Sequence, residues 1–289
     1  MKPELILDAK ATLGEGPCWD EMEQKLYWVD IMERKIHVLD PETGENETIV
    51  LDQYVGCAVL KEGGGLLLGL QNGFYELEIP SKKLTLIHNP EKDKPENRFN
   101  DGKVDPLGRF WAGTMHLEAK GNNGALYRLD SNYGVKKIIG DVGISNGLAW
   151  DVSRGAMYFI DTTTKKVAAF DYDLKSGEIS NKHFVITIPE GEGFPDGMTI
   201  DVNGHLWIAH WDGAKITRWD PSTGKKIEEI KFPVDRITSC CFGGKEMNEL
   251  FVTTARNGLS PSQLEKQPLA GGLFKVKTAV KGSPTYRFK

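Results

Sequence analysis

The sequence predicts an all-β protein folded as a single six-bladed β-propeller over residues 1–289. Three observations lead to this prediction. A short apolar strand recurs six times at spacings of 40 to 49 residues, many short apolar runs end at Gly, Asp or Pro, and few segments keep a helical period. A repeat of that length is typical of propeller blades.

The recurring strand is four residues long and mostly apolar in every copy. Its six copies are residues 26–29, 66–69, 110–113, 157–160, 206–209 and 250–253. Each interval has room for about four strands, the number in a propeller blade. Turn sequences such as Pro-Glu-Thr-Gly at 41–44 and Pro-Ser-Thr-Gly at 221–224 mark hairpin ends. The segment 5–9 is predicted to complete the last blade, and the best helical candidate, 260–266, is short.

Composition points to one domain with a small-molecule partner. No Ser/Gly tract or charge block divides the chain, and the net charge is −5. This balance provides no basic surface for nucleic acid or for an anionic membrane. The first residues contain too short an apolar stretch for a secretion signal, so we expect a cytoplasmic protein with reduced thiols at Cys18, Cys57, Cys240 and Cys241.

A second pattern accompanies the repeat. In three repeats a polar residue followed by glycine lies 10 or 11 positions before the apolar strand, and these residues are Glu15, Asn146 and Asp196. Asn100, followed by Asp101 and Gly102, lies 10 positions before its strand. Positions of equal phase in a radial repeat fall on one ring around the axis. The four side chains are therefore predicted to converge in one axial funnel.

Carboxylates and amides crowded together in a funnel favour a bound cation, because unneutralised carboxylates repel one another and lose hydration. All-oxygen ligands suit calcium, magnesium or manganese, and carboxylates also bind zinc. The alternative is that each residue only caps its own loop, as Asn and Asp before glycine commonly do. The shared phase of the three residues favours one divalent metal ion as cofactor.

Other motifs have weaker support. The Gly-Ile-Ser-Asn-Gly sequence at 143–147 fits a serine-hydrolase nucleophile motif, but that motif needs a strand-to-helix turn, and here the chain runs into another strand. The six histidines lack the spacing of a zinc protease. The tryptophans mostly follow the strand period, which predicts packing between blades.

At these positions the chain resembles the regucalcin and gluconolactonase family, which also includes luciferin-regenerating enzymes of insects. The resemblance extends over most of the length. The matching segments are Leu-Gly-Glu-Gly-Pro at 13–17, Arg-Phe-Asn-Asp-Gly-Lys at 98–103, Ala-Gly-Thr-Met at 112–115, Ser-Asn-Gly-Leu at 145–148, Pro-Asp-Gly-Met at 195–198 and Thr-Ser-Cys-Cys-Phe-Gly-Gly at 238–244. The last of these and the Leu-Ala-Gly-Gly-Leu-Phe sequence at 269–274 are most similar to the regucalcin branch.

The resemblance implies a six-bladed propeller that holds one divalent ion through Glu15, Asn146 and Asp196 and hydrolyses sugar lactones such as gluconolactone. It also implies that Arg98, Asn100 and Glu118 contact the substrate and that the segment 116–124 forms part of a lid. Our mechanistic hypothesis is metal-assisted ester hydrolysis with Asp196 as the general base. Arg98 and Glu118 depend on the resemblance, because such side chains usually lie in solvent.

Two other functions stay open at this point. A calcium-binding or calcium-buffering protein would use the same ligands without turnover and would need no substrate contacts from Arg98 and Asn100. A protein-binding propeller is suggested by Tyr-Trp-Val-Asp at 27–30, but this motif is not sustained in the other repeats. Hydrolysis of organophosphates or aryl esters would be a side activity of the same metal-centred funnel.

Overall fold

The structure, a computed structural model that describes residues 1–289, contains six four-stranded sheets. All six sheets are antiparallel, and five of them consist of four consecutive strands. The predicted six-bladed β-propeller is confirmed. The helical candidate at 260–266 is a single short helix, α1 (Pro261–Lys266), capped by Ser260. No helix has the length and apolar character to cross a lipid bilayer.

The strands follow one another in chain order, beginning with β1 (Glu4–Leu7). Blade 1 comprises β2 (Gly14–Asp20), β3 (Lys25–Asp30), β4 (Lys35–Leu39) and β5 (Asn46–Val50). Blade 2 comprises β6 (Val55–Leu60), β7 (Leu66–Leu70), β8 (Gly73–Glu78) and β9 (Lys83–His88). Blade 3 comprises β10 (Asn97–Val104), β11 (Phe110–His116), β12 (Gly124–Leu129) and β13 (Val135–Val142).

The second half of the chain repeats this arrangement. Blade 4 comprises β14 (Ser145–Asp151), β15 (Ala156–Asp161), β16 (Lys166–Tyr172) and β17 (Ile179–Thr187). Blade 5 comprises β18 (Phe194–Ile200), β19 (Leu206–Trp211), β20 (Lys215–Asp220) and β21 (Lys225–Lys231). Blade 6 comprises β22 (Ile237–Gly243), β23 (Glu249–Thr254), β24 (Leu273–Lys277) and β1, which closes the ring.

The first strand of each blade lies at the axis. Adjacent first strands contact one another around the whole ring. Burial falls from the axis outward: all of β14 is buried, whereas β17, the fourth strand of the same blade, is mostly exposed. The recurring apolar strand of the sequence is the second strand of every blade, so it is covered by adjacent blades on both faces.

Aromatic side chains join neighbouring blades, as the spacing of the tryptophans predicts. Trp19 stacks on Phe251 with 5.2 Å between ring centroids, which joins blades 1 and 6. Trp111 meets Trp150 edge-on at 5.8 Å between blades 3 and 4. Such pairs add about 0.5–1.5 kcal/mol each beyond the area they bury. The ring is therefore held together by side chains from both sides of each blade boundary.

The C-terminal segment covers one end of the axis. Phe288 is completely buried, and its backbone nitrogen donates to the carbonyl of Leu60 at 2.9 Å. Residues 283–286 line a small axial cavity of about 70 Å³ together with residues of the first strands. The opposite end of the axis opens into a cavity of about 510 Å³. A ligand from solvent thus reaches the larger cavity from that open end.

Candidate functional site

A break in strand pairing places each polar side chain of the ring. The four first strands concerned each lose register at the polar residue and its glycine, between Glu15 and Cys18, Phe99 and Gly102, Ser145 and Leu148, and Pro195 and Met198. An extra residue of this kind bends the strand and redirects a side chain. The polar-glycine pattern of the sequence therefore marks four β-bulges that aim side chains along the axis.

Glycine is required beside the bulged residues for two separate reasons. Gly16 has a φ of +51°, a left-handed conformation that side chains with a Cβ seldom adopt. At Gly197 an added Cβ would lie 2.0 Å from the hydroxyl oxygen of Ser239. The bulges next to Glu15 and Asp196 thus depend on glycine for backbone conformation in one case and for close packing in the other.

The larger axial cavity, which we call the funnel, has a polar base. Five of the six site residues predicted from the sequence line it together: Glu15, Arg98, Asn100, Asn146 and Asp196. All five are at least nine-tenths buried. The structure therefore brings residues from blades 1, 3, 4 and 5 into one site, although they are spread over some 180 positions of the chain.

The sixth predicted residue, Glu118, lies elsewhere. Its side chain is exposed to solvent and forms an ion pair with Lys120. The two residues on either side of it, Leu117 and Ala119, do line the funnel. The segment thus reaches the mouth of the funnel, while Glu118 itself does not line it, and a substrate contact by this residue stays a prediction.

Burial makes the ionised carboxylates of the site costly. Burial, and then the charge of Asp101, raise the pKa of Glu15 to about 8. Burial, and then the charge of Glu15, raise the pKa of Asp196 well above its ordinary value. The guanidinium of Arg98 partly opposes both effects. A cation bound between the two carboxylates would offset that cost, in competition with the proton that the raised pKa retains on Glu15.

The amide of Asn146 is held in one orientation. Its Nδ2 donates to the hydroxyl oxygen of Thr162 at 2.7 Å, and that hydroxyl donates to the carbonyl of Pro195 at 2.8 Å. Because the hydroxyl proton is used on the carbonyl, Thr162 can only accept from Asn146. The oxygen of Asn146 is thereby fixed on the side facing Asn100, whose Nδ2 lies 3.0 Å away.

Asn100 is oriented by its neighbours as well. Its Nδ2 donates to the carbonyl of Ser145 at 2.8 Å, and its Oδ1 accepts from Nη1 of Arg98 at 2.7 Å. Burial lowers the pKa of Arg98 to about 10, so the guanidinium remains charged at neutral pH. Arg98 therefore provides a positive charge at the base of the funnel and also sets the orientation of Asn100.

The donor set fits a hard divalent cation. The structure contains no group of three or more His, Cys, Asp or Glu side chains that could hold a metal ion. The candidate cation site instead combines the carboxylates of Glu15 and Asp196 with the amide oxygen of Asn146. Oε2 of Glu15 accepts a hydrogen bond from the backbone N–H of Gly16 at 2.8 Å, and the remaining lone pairs of the carboxylate are free for a ligand. Oxygen donors of this mixed kind are those that calcium binds.

Ser145, the serine of the Gly-x-Ser-x-Gly match, is not part of the funnel lining. It lies inside β14, and its hydroxyl is completely buried without a hydrogen-bond partner. An added Cβ on Gly113 would lie 1.7 Å from that hydroxyl, so the serine fills the space above this glycine. The position within a strand agrees with the prediction that Ser145 is not a nucleophile.

Two features of the site were not predicted from the sequence. Thr162 belongs to a 3-10 turn, Thr162–Thr164, which has no counterpart in the polar-glycine pattern. The upper wall of the funnel is apolar and includes Met32, Leu117, Phe194 and Trp211. These side chains come from segments far apart in the chain, and no shared spacing connects them.

Comparisons with known proteins agree with this architecture. Residues 13–256 match the family model described as SMP-30/Gluconolactonase/LRE-like region. Regucalcin of Gallus gallus is 42% identical over 294 aligned residues, which cover 100% of this chain and 98% of the relative.

Two solved structures have the same fold throughout. A luciferin-regenerating enzyme superposes with a TM-score of 0.94 at 33% identity and covers 99% of both chains. A calcium-binding protein, regucalcin from Agrobacterium tumefaciens, superposes with a TM-score of 0.94 at 27% identity and covers 99% of this chain and 96% of its own.

Proposed function

The chain belongs to the SMP-30/gluconolactonase/LRE-like family, and from this premise we propose that it is a metal-dependent lactonase that opens sugar lactones in the funnel. One observation carries the proposal: two buried carboxylates, two oriented amides and a buried guanidinium converge on the base of one open cavity. Structural packing alone would not favour so many buried polar groups in one place.

Glu15, Asn146 and Asp196 would hold one divalent ion, with calcium, zinc, manganese or magnesium as candidates. When bound, such an ion polarises the lactone carbonyl and lowers the pKa of water. Glu15 and Asn146 would chiefly position it, because the Asn146 oxygen is fixed through Thr162. The calcium-binding description of the Agrobacterium relative supports calcium as the first ion to test.

Asp196 is the general base in this proposal. Its carboxylate accepts a proton from the attacking water as the water oxygen bonds to the carbonyl carbon. The bond between that carbon and the ring oxygen then breaks, and Asp196 returns the proton to the departing ring oxygen to give the hydroxy acid. Burial raises the pKa of Asp196, which makes its carboxylate a stronger proton acceptor than that of an exposed aspartate.

Arg98 and Asn100 would bind the substrate beside the reacting carbonyl. The part of the Arg98 guanidinium that does not contact Asn100 can donate to a lactone oxygen. Because both side chains are buried and hydrogen-bonded, they bind a substrate without first losing mobility. Glu118 would need to turn inward from its ion pair with Lys120 to contribute.

A second candidate function is calcium binding without required turnover. The observation in its favour is the description of the Agrobacterium relative as a calcium-binding protein. The same three ligands would bind calcium in this case. The positive charge of Arg98 at the base would weaken cation binding, however, and a role in binding the substrate explains its presence better.

The test is hydrolysis of D-glucono-δ-lactone, followed by proton release in weak buffer, by protein stripped of metal and then titrated separately with calcium, magnesium, manganese and zinc. We expect turnover only after an ion is added. Binding of an ion without turnover on any lactone would favour the calcium-binding function. Full turnover by the stripped protein would contradict metal dependence.

A matched pair of variants completes the test. Asp196→Ala should abolish turnover, because it removes the general base and one proposed ligand. Asp93→Asn is the control, since Asp93 is exposed in a surface turn. Unchanged turnover in Asp196→Ala would exclude this residue as the base.

A further inference from the structure

The residues between β11 and β12, 117–123, form a loop at the mouth of the funnel, which we call the mouth loop. Leu117 and Ala119 of this loop line the funnel. All residues of the loop are exposed, and its ion pair, between Glu118 and Lys120, lies within the loop itself. The mouth loop is therefore held at its ends and not by buried side chains of its own.

Both ends of the mouth loop are bonded to one segment, the turn that leads into β10. At the start of the loop, the backbone nitrogen of Leu117 donates to the carbonyl of Glu96 at 2.8 Å. At its end, the carbonyl of Asn123 accepts from Nδ2 of Asn97 at 3.1 Å and from Nζ of Lys94 at 2.6 Å. The position of this turn therefore determines where the mouth loop lies.

Glu91 holds the turn in place from inside the protein. Its side chain is only 7% exposed, and Lys94 lies 3.8 Å from it and balances its charge. Oε2 of Glu91 accepts from Nδ2 of Asn97 at 3.0 Å. Oε1 accepts from the hydroxyls of Thr114 and Tyr127 at 3.1 Å each. These three donors belong to β10, β11 and β12, so one buried carboxylate joins three strands of blade 3 to the turn before them.

The orientation of the Asn97 amide shows how this arrangement is fixed. Its Nδ2 donates to two acceptors, the Glu91 carboxylate and the Asn123 carbonyl, while its Oδ1 is buried without a partner. Turning the amide round would place Oδ1 against a carboxylate and a carbonyl, neither of which can donate. Asn97 therefore keeps both donors on these acceptors and connects Glu91 directly to the end of the mouth loop.

The base of the funnel does not depend on Glu91 in the same way. Arg98 and Phe99 pair in register with residues of β11. The guanidinium of Arg98 donates to the carbonyl of Phe99 at 2.9 Å and to Oδ1 of Asn100 at 2.7 Å. Loss of the Glu91 carboxylate should therefore loosen the mouth loop and leave the polar base in position.

We propose that Glu91 is a positioning residue for the substrate: through Asn97 it fixes the mouth loop where the loop covers a bound lactone. This inference rests on the lactonase function proposed above. Because the loop is held in place beforehand, it covers the substrate without first losing mobility. Glu91 does not line the funnel and is bonded to none of the proposed ion ligands, so its effect is on substrate binding and not on the ion.

The experiment uses Glu91→Met, which retains the length of the side chain and removes both acceptor oxygens. In the protein loaded with the ion that supports turnover, KM for D-glucono-δ-lactone should rise about tenfold while kcat stays within about twofold. The calcium affinity of the metal-stripped variant, measured by isothermal titration, should equal that of the parent protein. Glu96→Met is the matched control, because Glu96 is exposed in the same turn.

Hydrogen exchange separates this inference from the proposed function, because it needs no turnover. In Glu91→Met the amide of Leu117 should exchange about tenfold faster than in the parent protein, whereas the amides of β14 at the axis should be unchanged. An unchanged rate at Leu117 in a folded variant would overturn the inference. Faster exchange there, with no lactone hydrolysis by the parent protein, would contradict the lactonase function alone.

A second variant tests the same anchor if Glu91→Met folds poorly. Lys94→Met removes the bond from Nζ to the Asn123 carbonyl, and the side chain of Lys94 is 39% exposed, so the fold should tolerate the change. KM should rise about threefold with kcat unchanged. A KM equal to that of the parent protein in Lys94→Met would contradict the role of the loop end. A loss of calcium affinity in Glu91→Met without a change in KM would show that Glu91 acts on the ion site instead.

Discussion

Thr162 joins two blades through one hydroxyl group: it accepts from the Asn146 amide at 2.7 Å and donates to the Pro195 carbonyl at 2.8 Å. Asn146 and Asp196, which follows Pro195, are two of the proposed ligands. A single side chain therefore fixes the orientation of one ligand and the backbone position of the next.

Replacing Thr162 by valine should weaken calcium binding about tenfold, because groups that orient metal ligands typically contribute at least that factor. Thr162→Ser retains the hydroxyl and should bind nearly as well as the parent protein. Isothermal titration of the metal-stripped proteins measures both affinities. Equal loss in the valine and serine variants would show that packing, not orientation, matters here.

Asp196→Asn should stabilise the metal-free protein while removing the stabilisation by calcium. The buried carboxylate is costly at pH 7, as the upward shift of its pKa indicates, and a neutral amide avoids that cost. We expect the Tm of the stripped variant to rise about 2–4 °C for each kcal/mol gained. Thermal melts with and without calcium test this, with Asp93→Asn as the control. A lower Tm in the stripped Asp196→Asn protein would show that the buried carboxylate does not destabilise the metal-free protein.

Calcium affinity should increase with pH up to about 8. Glu15 has a pKa raised to about 8, so it is mostly protonated in the metal-free protein at pH 7 and must lose its proton to bind an ion. Below pH 8 the affinity should fall about tenfold per pH unit for each proton displaced. Titrations at pH 6, 7 and 8 measure this slope, and Glu15→Gln should flatten it. A constant affinity over this range would disprove the linkage.

His210 should make the protein less stable in acid. Burial lowers its pKa from 6.5 to about 4, and its Nε2 lies 2.6 Å from the Thr217 hydroxyl. Its Nδ1 lies 2.8 Å from the carbonyl of Glu192, which can only accept, so the neutral ring carries its proton on Nδ1 and Nε2 accepts from the Thr217 hydroxyl. Protonation of Nε2 would break this second hydrogen bond.

The sign of this effect follows from the lowered pKa. The stabilisation is complete above pH 6.5 and is lost as the pH falls towards 4, with a total of about 3 kcal/mol. Urea unfolding at pH 7 and pH 4.5 measures the loss. His210→Gln should lose less stability than the parent protein over the same interval, and an equal loss would exclude His210 as the source.

The fold and the base of the funnel were predictable because both depend on repetition. One apolar strand per blade has a clear period, and a polar residue followed by glycine recurs at one phase of it. The structure explains the second pattern as a β-bulge in the first strand of a blade. Local sequence and radial symmetry thus suffice to place Glu15, Asn146 and Asp196 in one cavity.

Features without that periodicity were not predictable. Thr162 acts through a contact between two blades, and the apolar wall combines single residues from loops and strand ends. The exposure of Glu118 and its ion pair with Lys120 are likewise not revealed by spacing. The expected cytoplasmic location also stays a prediction.

The closure of blade 6 has a consequence for self-association. Strand β1 forms antiparallel hydrogen bonds with β24, so it covers a strand that would otherwise present a free row of backbone donors and acceptors. A protein lacking residues 1–8 would expose that row along a strand whose side chains are mostly buried. Such an edge is a template for pairing with a second copy, which means that the N-terminal strand protects the molecule from edge-to-edge aggregation.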